Sequence, residues 1–210
     1  MLRADIDGDG RPDGVTVRWA RWADGRCAFY LAASTARGVV YSRALGPWTL
    51  EISKLAVDAR VRSDEFGVFP TVEAIVDLGG RGDVVVSVGE GAANLGISLF
   101  ALAHGRLQLV RVGGAKSLWP GGSVMDRVGY ACARGGPLRE LAVDNVATRR
   151  HPNRWRFSSV TYRRRGEGLV AVAHYRVSGS NRKASRAGAR AGINQPDFAG
   201  CSVRRNRNFR

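Results

Sequence analysis

The stretch that decides the fold is Asp5-Ile6-Asp7-Gly8-Asp9-Gly10-Arg11-Pro12-Asp13-Gly14-Val15-Thr16-Val17. It sets carboxylates at positions 1, 3, 5 and 9 of a loop and a glycine at position 6. It then runs into an alternating segment with Val15, Val17 and Trp19 on one face, the pattern of a half-buried strand. Four acids within nine residues, in a chain of net charge +15, repel one another unless a cation lies among them. Calcium, a hard cation that takes roughly six to eight oxygens at flexible geometry, suits this spacing. Asp5, Asp7, Asp9 and Asp13 are the candidate side-chain ligands, with the backbone carbonyl of Arg11 at position 7. Gly10 permits the sharp turn that folds the second half of the loop back on the first.

Outward from this loop the chain is a succession of short apolar runs bounded by Gly, Asp, Asn or Pro. Residues 15–22, 27–33, 38–43, 72–78, 84–88, 97–102, 107–112, 138–143, 156–162 and 169–175 are all expected to be strands, rich in Val, Phe and Tyr. The last two flank Arg163-Arg164-Arg165-Gly166-Glu167-Gly168 and form a hairpin. Only Leu50 to Val61 has helical spacing, at Ile52, Leu55, Ala56 and Ala59. The expected fold is all-β and antiparallel, either propeller-like blades or a sandwich, with one short helix.

The chain also repeats itself. Asp7 to Val17 lines up with Asp77-Leu78-Gly79-Gly80-Arg81-Gly82-Asp83-Val84-Val85-Val86, sharing an acid, a Gly-Arg-x-Asp turn and a β-branched strand. Phe29-Tyr30-Leu31-Ala32 then corresponds to Ser98-Leu99-Phe100-Ala101, and Gly38-Val39-Val40-Tyr41 to Gly105-Arg106-Leu107-Gln108-Leu109. Thr16 occupies the position where an EF-hand needs a bidentate Glu, and a strand follows where that motif has a helix. The match at Asp5, Asp7, Asp9, Gly10 and Asp13 resembles instead the FG-GAP or VCBS type of repeat, in which a D-x-D-x-D-G-x-x-D loop between propeller-blade strands binds calcium. The resemblance covers residues 5 to 45 closely and 75 to 110 loosely, where Gly79 stands in place of an acid. It implies calcium as a structural clamp in an extracellular or cell-surface setting. Residues 1–115 are therefore expected to hold two such repeats. Residues 116–210 form a divergent β region, with a flexible basic segment at 178–191, re-engagement at Ile193 to Val203, and a basic tail from Arg204 to Arg210.

Composition sets the outer bounds. A chain of 210 residues that is 44% hydrophobic and 24% charged has the make-up of a folded protein, and its 27 glycines suit a fold of many turns. No run is long and apolar enough for a membrane span, and residues 1–5 lack the apolar core of a signal peptide. Of 33 basic residues only Lys54, Lys116 and Lys183 are lysines, leaving 30 arginines. Such a surface attracts polyanions, and Arg149-Arg150, Arg163 to Arg165 and Arg182 to Arg190 are the candidate contacts with nucleic acid or a cell-wall polymer. Cys27, Cys132 and Cys201 fit no zinc pattern. Cys132 and Cys201, each beside glycines, are the preferred pair for a disulfide; three buried free thiols are the alternative.

Other signals are weaker. Arg81-Gly82-Asp83 spells an adhesion tripeptide but falls where both charges have structural duties. Asp144-Asn145 is a plain turn or a third, degenerate loop. His104, His151 and His174 accompany no hydrolase motif, and no spacing singles out two glutamates for glycoside chemistry. The reading is a non-enzymatic calcium-braced β-repeat module, a monomer whose partner is a protein or an envelope polymer. An Arg-rich polyanion binder and a hydrolase are the alternatives.

Overall fold

The computed structural model describes residues 1–21, 27–45, 70–78, 82–90, 95–123, 126–132, 137–195 and 197–205. Among these residues it is an antiparallel β structure with one helix, arranged as three sheets, none closed into a barrel. The segment expected to be helical, Leu50 to Val61, lies outside the described residues.

The first sheet is a meander of β1 (Leu2–Ala4), β2 (Asp13–Arg21), β3 (Cys27–Thr35) and β4 (Gly38–Tyr41), adjacent in chain order. The central sheet repeats that order with β5 (Thr71–Asp77), β6 (Gly82–Glu90), β7 (Leu95–Ala103) and β8 (Arg106–Val110). In both, the second strand opens on the Asp and Gly of the repeated turn, Asp13-Gly14 in β2 and Gly82-Asp83 in β6. The third sheet contains β9 (Gly121–Gly122), β10 (Asp126–Cys132), β11 (Leu138–Asn145), β12 (Trp155–Arg165) and β13 (Gly168–Gly179). Helix α1 (Asn181–Ala191) follows, and β14 (Ser202–Arg205) returns to pair with β5 at the edge of the central sheet.

Burial explains the order of the layers. Along β6, Val84 and Val86 pack with Val15 and Leu31 of the first sheet and Ile6 of its β1–β2 loop, while Val85 packs with Leu138, Tyr162 and Leu169 of the third. All three valines are fully buried, so β6 has no wet face along this stretch. That is why this strand is an unbroken apolar run where β2 alternates. Full burial of a Val or Leu side chain is worth about 1.5–3 kcal/mol, so these two interfaces dominate the packing energy. In β2 the expected alternation places Val15 and Val17 against the core, whereas Trp19 on the same face is 65% exposed.

Residues 178–191 correct the expectation of a flexible loop. They complete β13 and form α1, which lies on the outer face of the third sheet, its Ala184 and Gly188 packed among Val143, Phe157 and Ile193. The buried stripe is made of small residues, so it carries helical spacing without any large apolar side chain. A Cβ at Gly188 would come within 2.8 Å of Val143 Cγ2, so the close approach of helix to sheet depends on that glycine. The helix is closed by Ser180, whose side chain accepts from the Lys183 N–H, and by Gly192 in the left-handed region.

Two long-range ties join the third sheet to the central one. The first is the Cys132–Cys201 disulfide, which links the end of β10 to the residue before β14. The free-thiol alternative therefore fails for these two cysteines, while the Cys27 side chain lies outside the described residues. The tail expected from Arg204 begins inside β14, where Arg204 and Arg205 face Ile75 and Ala74. The second tie is an ion pair between Asp83 at the start of β6, fully buried, and Arg164 of β12.

Arg164→Ala is expected to destabilise the fold by about 3–5 kcal/mol in denaturant titration, because it strips the guanidinium from a buried carboxylate. An Asp83→Asn, Arg164→Met double variant is expected to recover most of that loss. The Cys132→Ala, Cys201→Ala variant is expected to lose about 4 kcal/mol, the chain-entropy value for releasing a 69-residue separation.

Candidate metal centre

The loop between β1 and β2 is anchored by one apolar residue. Ile6 is fully buried between the first and central sheets, and its neighbours Asp5 and Asp7 remain partly exposed on either side. Ile6 donates its N–H to Asp13 Oδ2 at 3.0 Å, which pulls the start of β2 under the loop. The alternation Asp-Ile-Asp therefore does two jobs at once, fixing the loop to the core and setting both acids to the same side.

The carboxylates shape the backbone around them. Asp5 accepts from the Gly8 N–H at 2.7 Å through Oδ1 and from the Gly10 N–H at 2.8 Å through Oδ2. Asp7 accepts from the Asp9 N–H at 3.1 Å, and Asp9 from the Arg11 N–H at 2.8 Å. Gly8 and Gly10 both have φ of 82°, the left-handed turns that let the chain wrap around Asp5. Each acid thus uses part of its accepting capacity on the loop and keeps lone pairs for a further partner.

Of the predicted ligands, the fold brings together Asp5, Asp7 and Asp13, each offering one oxygen with all three within 4.8 Å of one another. Asp9 is outside this group, exposed and turned to the Arg11 amide. The three grouped donors are all carboxylate oxygens, the set that a hard cation such as calcium takes and that softer metals do not require. Asp13, the buried member, titrates above the ordinary carboxylate range. Burial is the largest cause, opposed by the Ile6 amide and reinforced by the charges of Asp7 and Asp9. A cation at this point would offset both raising effects.

The loop also leans on its own counterpart in the central sheet. A Cβ at Gly82 would lie 3.0 Å from the Asp5 carbonyl oxygen and 3.0 Å from Ile6 Cγ2, so only glycine leaves room for the loop there. In that second turn, Asp83, aligned with Asp13, is bound to the Arg164 guanidinium. Sequence alignment of the two turns pairs Asp13 with Asp83, but nothing local marks Arg164, 81 residues downstream, as its partner.

A second acidic group lies on the third sheet, where Asp126 and Asp144 face each other across β10 and β11. With Ser123, Asn145 and Ala147 they line a solvent-open cavity of about 610 Å³. Asp126 is held below the usual carboxylate range by the Ser123 hydroxyl and amide, and Asp144 is bound to Arg156. Glycoside hydrolysis needs one carboxyl that keeps its proton near neutrality, and Asp126 is shifted the other way. His104 sits in the turn before Gly105, 3.1 Å from Glu167 at the surface. His174 faces Val160 across the β12–β13 pair and is exposed. Comparison of the chain with protein-family models, curated proteins and solved structures gave no match.

Because the folded Asp13 carboxyl holds its proton more tightly than in the unfolded chain, its ionisation lowers stability as pH rises through that raised range. A bound cation reverses the sign, since it requires the ionised form. The rise in melting temperature produced by calcium is therefore expected to be largest near neutral pH. It should shrink as pH falls through a range beginning above the ordinary value for Asp, and Asp13→Asn should abolish it. Differential scanning fluorimetry with and without calcium measures both.

Proposed function

We propose that this chain is a non-enzymatic, calcium-braced β-sheet module of the cell exterior, of the FG-GAP or VCBS type. The observation that carries the reading is the meeting of Asp5, Asp7 and Asp13 oxygens within 4.8 Å in a chain of net charge +15. Asp5, Asp7 and Asp13 would hold the ion, with Asp9 and the Arg11 carbonyl completing the shell. Calcium would supply charge neutralisation and a fixed point for the loop that closes the first sheet over Gly82. The Cys132–Cys201 disulfide supports an oxidising compartment, where such bonds persist. A brace of this kind serves display: it stiffens a surface for a protein or envelope polymer to grip.

Extracellular calcium modules bind at about 10⁻⁴ to 10⁻³ M. At ten times the dissociation constant, calcium would stabilise the fold by about 1.4 kcal/mol. For a chain of this size that is a rise of roughly 3–6 °C in melting temperature. Calorimetric titration of calcium into chelator-treated protein is expected to show one site in this range. The Asp5→Asn, Asp7→Asn variant keeps the capping oxygens but loses two charges, and is expected to lose the site while still folding. Absence of both heat and a calcium-dependent rise in melting temperature in the unaltered chain would sink the reading.

A further inference from the structure

The third sheet and its covering helix hold most of the chain's excess charge. Residues 138–191 carry thirteen cationic side chains against three carboxylates. All three carboxylates are committed: Asp144 to Arg156, Glu140 to the Tyr162 hydroxyl at 3.2 Å, and Glu167 to His104 at 3.1 Å. Among the described residues, none remains to neutralise the arginines at the β11–β12 tip or along α1.

The tip is rigid for a loop. The Val146 N–H donates to the Arg154 carbonyl at 2.9 Å, and Thr148 and His151 exchange backbone hydrogen bonds at 3.1 and 3.0 Å. These bonds hold Arg150, His151 and Arg154 beside Ser178 and Gly179, just ahead of α1, around a solvent-open cleft of about 530 Å³. The first turn of α1 contains no acid, although the helix dipole favours negative charge there, and Arg182 and Lys183 occupy it instead. From the cleft, Arg182, Arg186 and Arg190 run along α1 at four-residue spacing, all exposed. Neighbours at that spacing are about 5–6 Å apart, and like charges so placed weaken a helix unless a counter-charge lies over them.

We propose that the cleft and the arginine row together bind a linear phosphate polymer, one phosphate group seated among Arg150, His151 and Arg154 and further groups along α1. Arginine forks take phosphate oxygens two at a time, and the Asn153 amide adds a neutral donor beside them. The cleft is several times larger than one phosphate group, and the row continues beyond it, which favours a chain over a single ion.

The test is calorimetric titration of sodium tripolyphosphate into the full chain at low salt, without calcium, which tripolyphosphate chelates. The acidic loop lies on the first sheet and the cleft on the third, so failure of either assignment leaves the other standing. Saturable binding is expected, falling about tenfold between 50 and 200 mM salt. Arg150→Ala, Arg154→Ala should weaken it at least tenfold. Arg18→Ala, Arg37→Ala, a double variant of equal charge loss on the first sheet, should leave it within about twofold. Melting temperatures confirm that both variants fold. No saturable binding, or equal loss in the two variants, would overturn the site. Citrate competing as well as tripolyphosphate would overturn the phosphate assignment. Long-chain polyphosphate and a single-stranded oligonucleotide separate free polyphosphate from a phosphodiester source. Tighter binding of either than of tripolyphosphate, weakened by Arg186→Ala, Arg190→Ala, supports the polymer, and no gain for either overturns it.

Discussion

Because the central sheet packs against both other sheets along Val84 to Val86, each described side chain of β6 must be apolar or bring its own partner. Val84, Val85 and Val86 meet the first condition, alternating between the first and third sheets. Asp83 meets the second through Arg164. Replacing that pair by apolar residues would cost the fold little, whereas a lone Asp83 would be intolerable, so the pair works chiefly as a constraint on how the third sheet docks. The docking in turn sets the outer face of β11 and β12, and hence the surface on which α1 can lie.

The two aligned turns solve the same electrostatic problem differently. Both place an aspartate at the head of the second strand, under the weight of a neighbouring sheet. At Asp83 the counter-charge is a guanidinium from the chain itself. At Asp13, among the described residues, no arginine arrives; Asp5 and Asp7 come instead. On the proposed reading, a bound cation would answer at Asp13 the charge that the Arg164 guanidinium answers at Asp83. Along residues 138–191 of the third sheet and α1 the imbalance is the opposite, with the few carboxylates committed and the arginines left over.

Most strands were legible because β-branched and aromatic residues fall in short runs between Gly, Asp and Asn, and that chemistry is local. What was missed lacked that signal. β1 has three residues, β9 is two glycines, and β10 begins Asp126-Arg127 and is interrupted by Gly129. β14 is Ser-Val-Arg-Arg and becomes a strand because the adjacent disulfide brings it to the free edge of β5. Helix α1 buries only alanine and glycine, so its amphipathicity is one of size and escapes a search for large apolar residues.

The sequence by itself determined the all-β class, the repeated Asp-Gly turn and the four acids of the first loop, because spacing and residue type along the chain carry that information, whereas the choice between a Cys132–Cys201 bond and free thiols fell to the tertiary structure. Tertiary structure decided which acids converge: Asp5, Asp7 and Asp13 share one point while Asp9 turns to the Arg11 amide. It also decided that Asp83 is answered by Arg164 and that the arginines of the β11–β12 tip stand beside Ser178 and Gly179, just ahead of α1. Those relations join residues far apart in the chain, and only the stacking of one sheet on another brings them within reach.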